Sequence, residues 1–254
     1  MKVSIITVLY NSSSTLTDTI ASVYNQTYEN IEFILIDGKS TDNSLDIIKS
    51  YESAFRLKNI SYIWISEKDN GIYDAINKGI KLATGDVIGI LNSDDYYNDN
   101  LVIGDVASAF QYNNIDCVYG NLNYINTDNK KITRKWISRK YEKGLFDKSW
   151  TPAHPTFYCK KEMYIKYGVY RTDFKIAADV ELMYRFLEKN QIKSKYLDRL
   201  MIIMRQGGVS SRGIKSTIII TKEMRHAYKI NGDRLNLLKY LFYKIGKIKE
   251  LNIR

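Results

Sequence analysis

Four short apolar runs rich in β-branched residues recur through the first hundred positions: VSIITVLY (3–10), IEFILID (31–37), ISYIWIS (60–66) and DVIGILN (86–92). Helical patterns fill the gaps. Ser12, Ser13 and Ser14 offer N-caps for a helix through about Gln26, and the turn-rich GKSTDN leads into a second helix to about Phe55. GIYDAINKGIKLA (71–83) has apolar residues at 72, 75–76, 79–80 and 82–83, a spacing that lines one helix face. Continuous apolar strands alternating with helices predict an α/β sandwich: a mainly parallel central sheet covered on both faces. Ligands of such sheets bind beyond the carboxyl ends of the strands. Those ends carry Tyr10 and Asn11; Asp37; Glu67 and Asp69; and Asn92, Asp94 and Asp95. Acids and amides from four strands are thus expected on one rim.

After residue 100 the pattern loosens. A helix is expected over 99–113, and strands over 117–126 and 132–137 joined by a turn at Thr127–Lys130. A loop follows that holds both prolines of the chain, Pro152 and Pro155, on either side of His154. An amphipathic helix is expected over 178–190, then a strand from about 195 that ends in glycines by 208, then helix through the last forty residues. The expected organisation is one main unit over 1–211, with halves 1–97 and 98–211, and a helical extension over 212–254.

The net charge of +10 is unevenly placed. Residues 1–100 hold 8 Lys/Arg against 14 Asp/Glu, whereas residues 191–254 hold 15 against 4. The acidic first part argues against a nucleic-acid partner, and the basic tail suits a phosphate-rich one. Cys117 and Cys159 make neither a disulfide framework nor a zinc spacing, and they read as reduced thiols. No apolar run approaches the roughly 20 residues of a membrane span, and the N-terminal run is too short for a secretory signal. A cytoplasmic protein is expected.

Asp94 and Asp95 repel each other unless water or a cation compensates. Carboxylate oxygens suit hard cations such as Mg²⁺ or Mn²⁺. Alone, the pair also fits a solvated turn; with three other polar strand ends it reads as a site. Asp37 either starts a turn or accepts hydrogen bonds from a nucleotide, and Asp69 either enters a helix or lines the same pocket. Asp179 reads equally as a first-turn acid stabilised by the helix dipole, about 0.3–1 kcal/mol, or as a general base on a rigid element. His154, one of two histidines and flanked by prolines, reads more readily as structural than as catalytic. No P-loop and no G-x-G-x-x-G follows a strand.

Two blocks, "VSIITVLYNSSSTLTDTIASVYNQTYENIEFILIDGKSTDNS" with "SEKDNGIYDAINKGIKLATGDVIGILNSDDYY", and then "HPTFYCKKEMYIKYGVYRTDFKIAADVELMYRFL", resemble the family 2 glycosyltransferases of bacteria, in the branch that builds capsule, exopolysaccharide and O-antigen repeats. The resemblance implies a glycosyltransferase-A fold that binds a nucleoside-diphosphate sugar, by family habit UDP-linked, at the strand ends. It implies that Thr7, Tyr10 and Asp37 contact the nucleotide, with Asp37 near the base, and that Asp69 and Asn77 line the pocket. Asn92, Asp94 and Asp95 fall on the acidic metal motif, with Asp94 near the ribose and Asp95 on Mn²⁺ or Mg²⁺. Asp179 falls on the general base of an inverting transfer to a glycan or lipid-linked hydroxyl. His154 and Glu181 fall near the acceptor.

The chain departs from the family at Asp37-Gly38-Lys39-Ser40, where Asp-Asp-Gly-Ser is usual, at Asn92, where an acid is usual, and at Ala178, where Glu is frequent. The Gln-x-x-Arg-Trp motif of processive synthases is absent, which favours transfer of a single sugar. RLNLLKYLFYKIGKIKELNIR (234–254) reads as an amphipathic helix, packed on the body, at a homodimer contact, or on an anionic membrane surface at the inner face of the cell membrane. Two rivals remain: a sugar-nucleotide nucleotidyltransferase, which would normally carry a glycine-rich first loop, and a non-catalytic nucleotide- or nucleic-acid-binding module.

Overall fold

The computed structural model describes residues 1–111, 114–128, 130–207 and 214–251. The expected helix end at 112–113, Asn129 of the expected turn, the glycine at 208 and the 211/212 boundary lie outside the described residues.

The four apolar runs form β1 (Val3–Leu9), β2 (Ile31–Asp37), β3 (Ser61–Ser66) and β4 (Val87–Ile90). They pair in parallel in the order β3-β2-β1-β4, and Leu9, Asp37 and Ser66 lie side by side at the carboxyl end. Three helices connect them: α1 (Leu16–Tyr24), α2 (Ser44–Leu57) and α3 (Ile72–Leu82). α1 starts later than expected because Ser12–Thr15 form a turn, in which Thr15 and Leu16 N–H donate to the Ser12 carbonyl.

The rest of the sheet is mixed. β5 (Tyr96–Tyr97), α4 (Val102–Gln111), β6 (Cys117–Ile125) and β7 (Ile132–Trp136) follow. β8 (Tyr158–Lys160), α5 (Lys161–Tyr167), α6 (Ala178–Met183, continuing as a π-helical turn through Lys189), β9 (Ser194–Arg205), α7 (Ile214–Ile230) and α8 (Leu237–Leu251) complete the chain. The full order is β3-β2-β1-β4-β8-β6-β9-β5, with β7 on β6. β8 joins the two halves, antiparallel to both β4 and β6. Gly89 makes that join: a Cβ there would stand 2.1 Å from the Tyr158 ring, whose hydroxyl meets that of Tyr97 at 2.7 Å. The short elements β5, β8 and α5 carried no pattern long enough to read.

Successive strand residues face opposite sides, which explains why the runs are apolar throughout. Val3, Ile5, Phe33 and Leu35 pack with Leu16, Ile20, Phe55 and Val106 from α1, α2 and α4. Ile6, Val8, Ile34 and Ile36 pack with Tyr73, Ile76 and Leu182, and the same core takes in Met224, Ala227 and Tyr228 of α7 and Tyr240 of α8. Each fully buried Ile or Leu contributes roughly 1.5–3 kcal/mol. The extension is therefore packed on the body. α8 still exposes Leu238 (83%), Phe242 (74%) and Ile245 (56%), which share one helix face.

Candidate active site

The rim is built where β1, β2, β3 and β4 end. Tyr10 is 62% exposed there, and Asn11 takes a left-handed conformation that turns the chain. Asn11 Oδ1 accepts from Thr41 N–H at 2.8 Å, and its own N–H donates to Ser40 Oγ, so the first two strand ends are tied together. Gly38 lies against Asp69: a Cβ at Gly38 would come within 2.6 Å of Asp69 Oδ2. The other Asp69 oxygen accepts from Gly71 N–H at the start of α3.

Three expected donor contacts are placed differently. Thr7 is fully buried, and its hydroxyl donates to the Leu91 carbonyl at 2.7 Å, so it serves the sheet rather than a ligand. Asp37 is fully buried, and its carboxylate accepts from Ser40 N–H, Ser40 Oγ and Ser66 Oγ; it closes a turn. Asn77 exchanges both of its amide groups with the backbone of Tyr170, at 2.8 and 3.0 Å, and fixes the loop before α6.

The acidic pair sits in the tight turn after β4, where Asp95 N–H donates to the Asn92 carbonyl. Asn92 Nδ2 donates to Asp95 Oδ2 at 3.0 Å, while Asp95 Oδ1 is buried without a hydrogen-bond partner. Burial and then the Asp94 charge push Asp95 well above the usual carboxylate range. Burial also raises Asp94, against the lowering influence of Arg205 and His154. Arg205, at the end of β9, donates to the Asp94 carbonyl at 2.7 Å, pairs with Asp18 and lies over the Tyr96 ring. The repelling pair is thus partly balanced by a guanidinium from the far end of the chain. No cation was expected at the rim; an arginine closing the run LMIIMR was the available signal.

Asp179 reaches the same cleft from α6. Its Oδ2 lies 3.3 Å from His154 Nδ1, and its Oδ1 is buried and unpartnered. Burial raises Asp179, while His154 and the N–H groups of the first helical turn lower it. His154 is fixed by a 3-10 turn in which Thr156 Oγ1 donates to the Ala153 carbonyl and accepts from Gly120 N–H of β6. The turn that carries His154 packs against β4 and β6, beside the strand that leads into the acidic turn, and His154 lowers Asp94 as well as Asp179. Glu181 does not join them. Two residues on from Asp179, it faces the other side of α6, where it is 1% exposed and paired with Arg185.

Among the described residues, no three His, Cys, Asp or Glu side chains are grouped to hold a metal ion. Two adjacent carboxylates with one unpartnered buried oxygen do fit a hard divalent cation whose other ligands come from a diphosphate and water. No helix among the described residues is long and apolar enough to cross a membrane.

Comparison with known proteins fits this geometry. An uncharacterized glycosyltransferase of Mycobacterium tuberculosis is 32% identical over 187 residues, covering 72% of this chain and 68% of that protein. Residues 1–349 of Staphylococcus aureus TarS, solved with UDP-GlcNAc, superpose with a TM-score of 0.65 at 17% identity, over 90% of this chain and 66% of that one. The mannosyltransferase PcManGT of Pyrobaculum calidifontis, solved with GDP-Man and Mn²⁺, also superposes at 0.65, with 15% identity, over 90% of this chain and 63% of that one. This chain therefore spans just under two thirds of either solved neighbour. The signature of glycosyl transferase family 2 runs through residues 4–172, from the first strand past the acidic pair and His154. With that match across most of its length, and an α/β sandwich whose acids converge beyond the strand ends, the chain belongs to glycosyl transferase family 2.

Proposed function

We propose that this enzyme moves a single sugar from a nucleoside-diphosphate sugar, UDP-linked, to a hydroxyl of a glycan or lipid-linked acceptor, with inversion, in the building of a bacterial surface polysaccharide. The reading is carried by the unpartnered buried carboxylate oxygens of Asp95, beside Asp94, and of Asp179, which meets His154 at 3.3 Å. Asp179 takes the proton of the acceptor hydroxyl as its oxygen attacks the anomeric carbon, and the bond from that carbon to the diphosphate breaks. Burial raises its proton affinity, the direction that strengthens a carboxylate as a base. His154 orients the carboxylate from the acceptor side. Asp95 and Asp94 would hold Mn²⁺ or Mg²⁺, which when bound neutralises charge gathering on the diphosphate. Tyr10, Gly38 and Asp69 are the open surface left for the nucleoside.

UDP is the proposed nucleotide because UDP-GlcNAc occupies TarS; PcManGT, with GDP-Man on the same fold, makes GDP the first alternative. The extension would seat the enzyme at the inner face of the cell membrane. Leu238, Phe242 and Ile245 offer an apolar face on a strongly basic segment, the combination that binds anionic lipid. Calorimetry and nucleotide release against UDP-, GDP- and dTDP-sugars with Mn²⁺ test the reading. UDP release that EDTA abolishes is the expected result. Release of pyrophosphate would instead mark a nucleotidyltransferase, and an EDTA-insensitive rate would remove the cation. Intact protein that ignores anionic liposomes would remove the membrane role.

A further inference from the structure

The peptide that leads into α6 is gripped from two sides. On one side stands α7. Glu223 accepts all three successive N–H groups before the helix: Lys175 at 2.7 Å, Ile176 at 3.1 Å and Ala177 at 2.8 Å. One turn further along α7, the His226 ring lies tilted against Phe174, centroids 5.3 Å apart, and meets Asp173 at 3.4 Å. On the other side stands α3. The Tyr73 hydroxyl donates to the Ile176 carbonyl and accepts from Ala178 N–H, and Asn77 pairs with the backbone of Tyr170.

α6 has no side-chain N-cap of its own, because Ala177 stands at that position. Its first-turn N–H groups and the peptide before them need outside acceptors. Five consecutive residues, 174–178, are therefore positioned by α3 and α7, and Asp179 is the next residue along. Met224, Ala227 and Tyr228 are buried in the main core, which fixes where α7 can place Glu223.

We propose that Glu223 is a positioning residue for transfer: by holding the 175–177 peptide it sets Asp179 opposite His154, so the C-terminal extension completes the active site. This rests on the reading of Asp179 as the base. Glu223 lies beyond the family signature, which ends at residue 172.

The test compares Glu223→Ala and Glu223→Gln with wild type, using UDP release from the sugar donor that the panel selects, UDP calorimetry and amide hydrogen exchange. Glu223→Ala should lower kcat by about 100-fold, the scale of a misplaced reacting group, with donor KM and UDP affinity within about twofold. Exchange at residues 175–177 should accelerate. Glu223→Gln keeps one acceptor oxygen and should fall between the two. Wild-type turnover in Glu223→Ala, a loss confined to KM, or unchanged exchange overturns the proposal. If Glu223→Ala does not fold, the glutamine variant decides: reduced kcat at constant KM supports the role, and wild-type kcat refutes it. A wild type that releases no nucleotide from any donor sinks the transfer reading, and exchange at 175–177 still decides whether Glu223 holds the peptide.

Discussion

Buried acids stand at both ends of the central sheet, and the two ends treat them in opposite ways. At the amino end, Glu32 is 1% exposed and surrounded by donors: Lys2 Nζ at 2.8 Å, Ser4 Oγ at 2.6 Å, and Thr84 N–H and Oγ1 at 2.7 and 2.6 Å. These donors outweigh the opposing effect of burial and bring Glu32 down to about 2. At the carboxyl end, Asp95 and Asp179 each leave one buried oxygen without a partner, and both are pushed up. An acid that serves the fold is fully met by the chain. On the proposed reading, Asp95 and Asp179 are left incomplete so that a substrate or ion can finish them.

The largest effect that would break this contrast is on turnover. Asp179→Asn should cut the rate about 10³-fold, within the range for loss of a general base, with UDP affinity and unfolding temperature preserved. Normal turnover would make Asp179 a structural acid like Glu32. Glu32→Ala should do the reverse: a loss of about 3 kcal/mol in urea unfolding, from the donors it strands, with turnover per folded molecule intact. Asp95→Asn should raise stability in chelator by about 1–2 kcal/mol, because it removes a strained charge, and should abolish any stabilisation by Mn²⁺. An Asn variant still stabilised by Mn²⁺ would move the cation elsewhere.

The smallest effect is the pH dependence. The contribution of Glu32 is present above its ordinary value of 4.5 and fades as pH falls from there towards about 2. Asp94, Asp95 and Asp179 are raised, so their contribution is present below the ordinary 3.8 and fades as pH rises through the raised values. The unfolding temperature in chelator should therefore fall with rising pH above the ordinary carboxylate range, and Mn²⁺ should reduce that slope by replacing the proton. Identical slopes with and without Mn²⁺ would erase the distinction between the two ends.

The sheet from β1 to β4 and its polar rim were legible because the information is local: an apolar run, a turn, a helical period. The acidic turn at Asn92–Asp95 was legible for the same reason. What the pattern did not reveal is held by pairs far apart in sequence. Arg205 meets Asp18 and Asp94, Tyr73 meets Ile176, and Glu223 meets Ala177. Nor did the pattern separate Asp37 from Asp95. Both are acids at strand ends, and only the position of Ser40 and Ser66 around one of them shows that it is already satisfied. Glu181, expected near the acceptor from its place in the second block, lies two residues from Asp179, and a helix turns about 200° over two residues, so the two side chains leave α6 on different faces.

The placement of β9 has a consequence for how the protein is made. β9 lies between β6 and β5, so the strand beside the acidic turn has its partner about a hundred residues downstream. A nascent chain that has released its first 190 residues holds all four parallel strands, yet its acidic turn has neither β9 alongside it nor the Arg205 guanidinium against it. Folding of the rim is thus deferred until β9 has emerged, and a chain stalled before that point presents an open sheet edge to its neighbours.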